Sequence, residues 1–269
     1  MGRRTSGHLI LKKLMKIIIL AAGMGARLRP HTDFVPKCMV PMNGKPLIDY
    51  QLDAIEKVAL DDIIIVGGYR FDVLKSHLGN RNLRNLTLYE NKDFSSTNMV
   101  ATLFCAEKEL GGDVIIAYSD IVYRPEILQT LIDCPADRAT IVDAAWQELW
   151  EKRMENPLDD AETMKIDSNG NIVELGKKPK SYDEIQGQYI GLTKISASVI
   201  DEMVRFYRNL DQSVLYDGKN FDNMFMTSFL QRMIDNNMPI KAAMISGGWF
   251  EVDSNEDLDY YTQTNFCSL

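Results

Sequence analysis

Arg27 and Lys37 are the residues of this 269-residue chain best suited to chemistry on phosphate. Arg27 follows the turn Ala21-Ala22-Gly23-Met24-Gly25-Ala26, and Lys37 follows Pro36 ten residues later. Small residues after a strand let backbone N–H groups come close to a phosphate chain. A guanidinium adds a fixed charge with a fork of donors, and a lysine on a proline-bounded turn adds a second cation. Asp120 stands just past the apolar run at 113–118. There it can hold a divalent cation beside a phosphate, or it can cap the helix opened by Pro125; position alone supports both. Histidine is limited to His8, His31 and His77, so a Ser-His-Asp triad or a His-based metal site has little to build from. Cys38, Cys105, Cys134 and Cys267 lie far apart, without metal spacing, and read as reduced thiols of a cytosolic protein.

The elements that must position these residues follow from hydrophobic periodicity. Residues 17–20 form a β-branched apolar run of buried-strand length, and 47–58 read as a helix after the break at Gly44-Lys45-Pro46. Further strands are expected over 61–66, 85–89 and 113–118. Helices are expected over 71–78, over 98–110 with Ser95 or Thr97 as cap, and from Pro125 onward. Repeated βα units argue a mostly parallel sheet with helices on both faces. Ligands in such sheets bind at the carboxyl ends of strands, here Leu20-Ala21, Val66-Gly67 and Tyr118-Ser119-Asp120.

The chain changes character after a strand over 139–143. Trp146 and Trp150 share a helical face, as a core or interface stripe or as an aromatic wall for a cationic head group. Residues 164–167 and 172–175 flank Ser168-Asn169-Gly170-Asn171, a hairpin turn, and such a ribbon inserted late in an α/β chain often carries a substrate lid. Helices near 197–207 and 222–235 and a strand over 240–245 follow. Residues 1–14 read as a tag or extended start, too short in apolar content for a membrane span. The remainder, 15–269, reads as a single domain with an insertion at about 144–192. Hydrophobic content of 45% and charged content of 25% suit a globular enzyme. The net charge of −8 argues against nucleic acid as partner, and any phosphate site must be a local positive spot.

Among phosphate motifs, a P-loop is excluded because no Gly-Lys-Ser/Thr follows the glycines. A dinucleotide fingerprint fits poorly, because Leu28 stands where a third small residue is needed. Leu20-Ala21-Ala22-Gly23, Gly25, Arg27, Pro36-Lys37 and Gly44-Lys45-Pro46-Leu47-Ile48 together resemble the signature of nucleotidyltransferases acting on sugar phosphates and related phosphomonoesters. The stretch from Tyr89 to Met99, and Trp249-Phe250-Glu251-Val252-Asp253 followed by Glu256-Asp257-Leu258, resemble the phosphocholine cytidylyltransferase-like branch. The resemblance runs from Met15 to about Tyr261.

It implies a three-layer α/β/α, Rossmann-like (GT-A-like) fold: a mostly parallel sheet with an inserted antiparallel substrate-lid ribbon. It implies Mg²⁺-dependent transfer from CTP to a small phosphomonoester or phosphonate, of phosphocholine, phosphoglutamine or aminoethylphosphonate type, with release of pyrophosphate. Decoration of a surface polysaccharide or capsule is the implied setting, in the cytoplasm, with no nucleic acid or membrane partner. A homodimer is left open. Residue by residue, it implies catalytic roles for Arg27 and Lys37 and a metal held by Asp120 and Asp253. Nucleotide contacts are expected from Leu20, Ala21, Ala22, Gly23, Met24, Gly25, Gly67, Tyr69, Asn98 and Ser119, with a helix cap as the alternative at Asn98. Acceptor contacts are expected from Lys178, Tyr189 and Glu251, with Lys177 an alternative to Lys178. The runner-up is a hexose-1-phosphate nucleotidylyltransferase using UTP, dTTP or GTP, whose acidic residue before Lys178-Pro179 is replaced here by Lys177. A non-catalytic nucleotide sensor on the same fold is a second alternative, and an NAD-binding reductase a distant third.

Overall fold

The computed structural model describes residues 15–263, except 61 and 82. The leader expected over 1–14 lies outside these residues, as do His8 and Cys267. In chain order the strands are β1 (Met15–Ala21), β2 (Pro41–Met42), β3 (Lys45–Pro46), β4 (Asp62–Gly67), β5 (Asn85–Glu90), β6 (Asp113–Tyr118), β7 (Ile121–Tyr123), β8 (Arg138–Asp143), β9 (Met164–Ile166), β10 (Ile172–Leu175), β11 (Gln188–Ile195), β12 (Lys241–Ile245) and β13 (Trp249–Glu251). The helices are α1 (Leu47–Lys57), α2 (Phe71–Gly79), α3 (Met99–Cys105), α4 (Pro125–Asp133), α5 (Trp146–Arg153), α6 (Ile200–Arg208), α7 (Met226–Asp235) and α8 (Asn255–Gln263).

Seven strands form the central sheet in the order β12-β8-β11-β6-β1-β4-β5. β11 runs antiparallel to both β6 and β8, and the other pairings are parallel. β1 is the switch point: the chain runs outward to β4 and β5 on one side, then returns to β6 on the other. An open α/β sheet binds ligands at such a crevice. β1 is apolar throughout because both faces are covered. Ile17 and Ile19 pack into one core layer with Ile48, Leu52 and Ile55 of α1, and Ile18 and Leu20 into the other with Val100 and Leu103 of α3. The result is the α/β/α sandwich with a mostly parallel sheet.

Three local expectations change. The helix expected over 98–110 ends at Cys105 and continues only as a 3₁₀ turn, Glu107–Glu109. Its cap is Asn98, whose side chain accepts from the Met99 N–H, because Thr97 is turned back to donate to the Asp93 carbonyl. The insertion expected over 144–192 leaves the sheet after β8 and carries the β9-β10 ribbon as its own two-stranded sheet, but Gln188 already rejoins the central sheet in β11.

A third apolar cluster joins distant parts of the chain. Leu28, Val40, Met42 and Leu47 pack with Val122 of β7 and with Phe250, Val252, Leu258 and Tyr261. This cluster seats the C-terminal segment against the loop that follows β1. The Asn43-Gly44 turn between β2 and β3 has positive φ at both residues, 50° and 78°, as a two-residue hairpin requires.

Candidate active site

The glycine-rich turn leaves β1 at Ala21. Gly25 adopts φ +62°, and a Cβ there would sit 2.9 Å from the Cβ of Lys37 and 3.0 Å from Cγ2 of Thr32. Only a residue without a side chain lets the two loops close to this distance. Thr32 Oγ1 donates to the Gly25 carbonyl at 2.9 Å and fixes the approach. Lys37 opens the 3₁₀ turn Lys37–Met39 after Pro36 and points inward.

Asp120 lies between β6 and β7, and β7 pairs antiparallel with β13. The register sets Ile121 opposite Glu251, and the Val252 N–H donates to the Asp120 carbonyl at 3.0 Å. Asp253, next in the chain, is thereby carried to Asp120. Lys37 Nζ lies 2.6 Å from Asp120 Oδ2 and 2.5 Å from Asp253 Oδ1. Arg27 pairs with the other oxygen of Asp253. Burial alone would lower the lysine's pKa, but Asp120, Asp253 and Glu251 outweigh it and hold the ammonium charged beyond the usual lysine range. Burial likewise opposes ionisation of Asp253, and Lys37 and Arg27 outweigh that, holding its carboxyl below the usual range. Burial, with Asp120 and Asp253 nearby, pushes Glu251 upward against the pull of Arg153.

A cleft opens at the carboxyl ends of β1 and β6. It is lined by Leu20, Ala22, Gly23, Lys37, Asn98, Ser119 and Asp120, together with residues around Phe94 and Thr102. Two carboxylates, two cations and exposed glycine backbone at one crevice can neutralise and align a polyphosphate. The donor set also fits a Mg²⁺. No group of three or more His, Cys, Asp or Glu suited to a metal occurs among the described residues, and Mg²⁺ bound through phosphate needs only one or two carboxylates. Asp120 Oδ1 is buried without a hydrogen-bond partner, as an oxygen awaiting a cation would be.

Residues 17–212 match the model of the MobA-like NTP transferase domain. The chain belongs to that family. It is a nucleotidyltransferase of the phosphocholine cytidylyltransferase-like branch. It is 47% identical over 251 residues to the CTP:phosphoglutamine cytidylyltransferase of Campylobacter jejuni, covering 91% of this chain and 98% of that protein. It is 38% identical over 113 residues to a choline-phosphate cytidylyltransferase of Streptococcus pneumoniae, covering 41% of this chain and 47% of that one. The solved CTP:phosphocholine cytidylyltransferase from Streptococcus pneumoniae shares the fold, with a TM-score of 0.67 at 22% identity, over 93% of this chain and 99% of that chain.

The nucleotidyltransferase fold gathers some of the expected residues and sets others apart. Leu20, Ala22, Gly23, Asn98, Ser119, Lys37 and Asp120 meet in the cleft, with Arg27 and Asp253 at its edge. Ala21 does not line it: alternation along β1 turns this residue into the opposite core layer. Gly67 is packed too, with Phe71 where its Cβ would be. The Tyr69 hydroxyl donates to the carbonyls of Thr32 and Asp33, so Tyr69 braces the loop carrying Lys37 and stays out of the cleft lining. Met24 is exposed beside Gly23 and Gly25.

On the acceptor side, Lys178 is engaged within the insertion, donating to the carbonyls of Leu158 and Asp159 at 2.5 Å each. Lys177 pairs with Glu174 on the ribbon at 3.0 Å. Neither ammonium lines the cleft. Tyr189 meets Tyr118 edge to face, with centroids 5.6 Å apart. Trp146 and Trp150 are core residues, each 4% exposed, so the stripe reading holds over an aromatic wall. Two residues were missed. Glu162 lies within electrostatic reach of Tyr118 and Tyr189, and burial beside Asp160 and Asp217 pushes its carboxyl up to about 7. Arg153, with a side chain 2% exposed, pairs with Asp257. The run Asp159-Asp160-Ala161-Glu162 is visible in the sequence, but nothing local distinguishes Glu162 from a solvated acid.

Proposed function

We propose that this enzyme transfers a cytidylyl group from CTP to a small phosphorylated acceptor of the phosphoglutamine type, releasing pyrophosphate. The observation that carries the reading is Lys37 held between Asp120 and Asp253 at the switch point of the sheet. The relative that covers 98% of its own length at 47% identity supports CTP and a phosphoglutamine-like acceptor.

The acceptor phosphate attacks the α-phosphorus, and pyrophosphate leaves in line. The second ionisation of a phosphate monoester lies near about 6, so the attacking oxygen is already anionic at neutral pH. No protein base is needed, which suits a cleft without histidine. The chain must instead bring two polyanions together and offset their charge. Arg27 faces the β- and γ-phosphates, Lys37 holds the α-phosphate or the attacking phosphate, and the backbone at Gly23 and Gly25 closes around the chain. Asp120 and Asp253 would hold a Mg²⁺, which supplies Lewis-acid neutralisation at the reacting phosphates. Glu162, within electrostatic reach of Tyr118 and Tyr189, is the group we assign to an ammonium- or amide-bearing end of the acceptor. CTP and the free thiols Cys38, Cys105 and Cys134 suit a cytoplasmic enzyme.

The test is pyrophosphate release with Mg²⁺, each of the four NTPs, and a panel of phosphoglutamine, phosphocholine, aminoethylphosphonate and hexose 1-phosphates. Release with CTP and phosphoglutamine establishes the reading. Release only with a hexose 1-phosphate overturns it.

A further inference from the structure

We propose that Arg153, acting through Asp257, is a positioning residue that sets the backbone of Asp253 and so aims its carboxylate at Asp120. Arg153 is the last residue of α5 and lies 100 positions before Asp253. Its Nε lies 2.7 Å from Asp257 Oδ1, and its Nη2 donates to Oδ2 at 3.1 Å. The same Oδ2 accepts from the backbone N–H groups of Asp253 at 2.9 Å and Ser254 at 3.0 Å. Ser254 Oγ accepts in turn from the Asp257 N–H at 3.2 Å, which closes a reciprocal cap at the start of α8.

A cap explains Ser254 and Asp257 but not the arginine. Capping works with an exposed carboxylate, whereas this carboxylate is 5% and the guanidinium 2% exposed. Removing a guanidinium from water costs more than a cap returns, and an ion pair placed there is weak evidence of stability. Its geometric consequence is specific: Asp257 cannot turn toward solvent, so the two amides it holds cannot shift. Asp253 is then gripped from both sides. Lys37 and Arg27 hold its carboxylate, and Asp257 holds its backbone.

Arg153 also ties this loop to the insertion. Its guanidinium lies 5.2 Å from the centroid of Trp150, whose Nε1 donates to Asp160 at 3.1 Å. Partners that orient a carboxylate of a metal site from behind shape its affinity by about ten- to a hundredfold. The proposal rests on the reading of Asp253 as a metal carboxylate.

The experiment compares Asp257→Asn with wild type. An amide has one acceptor oxygen, so it cannot serve both the guanidinium and the two backbone N–H groups. Hydrogen exchange at the amides of Asp253 and Ser254 is expected to accelerate about tenfold or more while the core strands stay protected. The Mg²⁺ concentration for half-maximal turnover is expected to rise about tenfold, with KM for CTP at saturating Mg²⁺ unchanged within about twofold. The double variant Arg153→Met, Asp257→Leu removes both members of the ion pair together, leaving Glu251 without the guanidinium 3.7 Å away, and it replaces the single variant should that fail to fold. A folded variant with wild-type exchange at both amides and a wild-type Mg²⁺ requirement overturns the proposal. Turnover by the wild-type enzyme without any divalent cation would overturn the metal reading instead, and exchange at Asp253 together with kcat in the same variants would still decide whether the Arg153–Asp257 pair sets this backbone.

Discussion

Lys37 Nζ lies 2.6 Å from Asp120 Oδ2, although the two residues stand 83 positions apart. The ammonium bridges the two carboxylates, and Arg27 shares the charge of Asp253. Lys37→Ala is expected to lose at least about a hundredfold in turnover, on the scale of one oxyanion donor at about 3–4 kcal/mol. The variant should keep the wild-type circular dichroism spectrum. Wild-type turnover in a folded Lys37→Ala protein would remove the lysine from the reaction.

Asp120→Ala removes an oxygen that already lacks a hydrogen-bond partner and another that Lys37 holds. The expected outcome is loss of Mg²⁺-supported turnover by about a hundredfold or more, with CTP still bound in the absence of metal. Isothermal titration with CTP, with and without Mg²⁺, checks both halves. An unchanged Mg²⁺ requirement would place the cation elsewhere.

Gly25→Ala tests the loop contact. The added methyl would lie 2.9 Å from the Lys37 Cβ, in a backbone with φ +62°. The left-handed conformation alone costs about 1–2 kcal/mol, and the contact pushes Lys37 away from the carboxylates. A melting temperature several degrees lower is expected, on the order of 2–4 °C per kcal/mol, together with a fall in kcat. Full activity with unchanged melting would mean that the loops close with room to spare.

Glu162 carries a pH signature. Its carboxyl sits at about 7 in the folded chain against an ordinary value of 4.5, raised by burial and then by Asp160 and Asp217. Between these values the folded state keeps a proton that the unfolded state has released, so stability falls as pH rises from about 4.5 through about 7. Glu162→Gln is expected to flatten the dependence of melting temperature on pH across that window and to gain on wild type above pH 7. Parallel melting curves for the two proteins would refute the assignment.

The local parts of the site were legible because their physics is local. Ile17 to Leu20 announce a strand buried on both faces, and Gly23, Gly25 and Arg27 follow within one turn. Asn98 appears as a polar residue ahead of an apolar helical face. Tertiary structure decided which of these residues share the cleft. Ala21 is excluded by alternation along β1, and Lys178 is drawn off by the carbonyls of Leu158 and Asp159.

Asp253 shows the boundary most clearly. Its motif marks it in the sequence through resemblance, but no spacing rule brings position 253 to positions 27, 37 and 120. The β7-β13 register does so, together with the apolar cluster in which Phe250 and Val252 pack on Leu28 and Val40. Arg153 left no sequence signal at all. A charged residue at a helix end reads as solvated, and only the packing of Trp150 and Asp257 around it shows the guanidinium buried. Strand period, turn chemistry and residue type were thus determined by neighbours in the chain. The site's charge balance was decided by long-range register and burial, because the strength of an ion pair depends on what surrounds it.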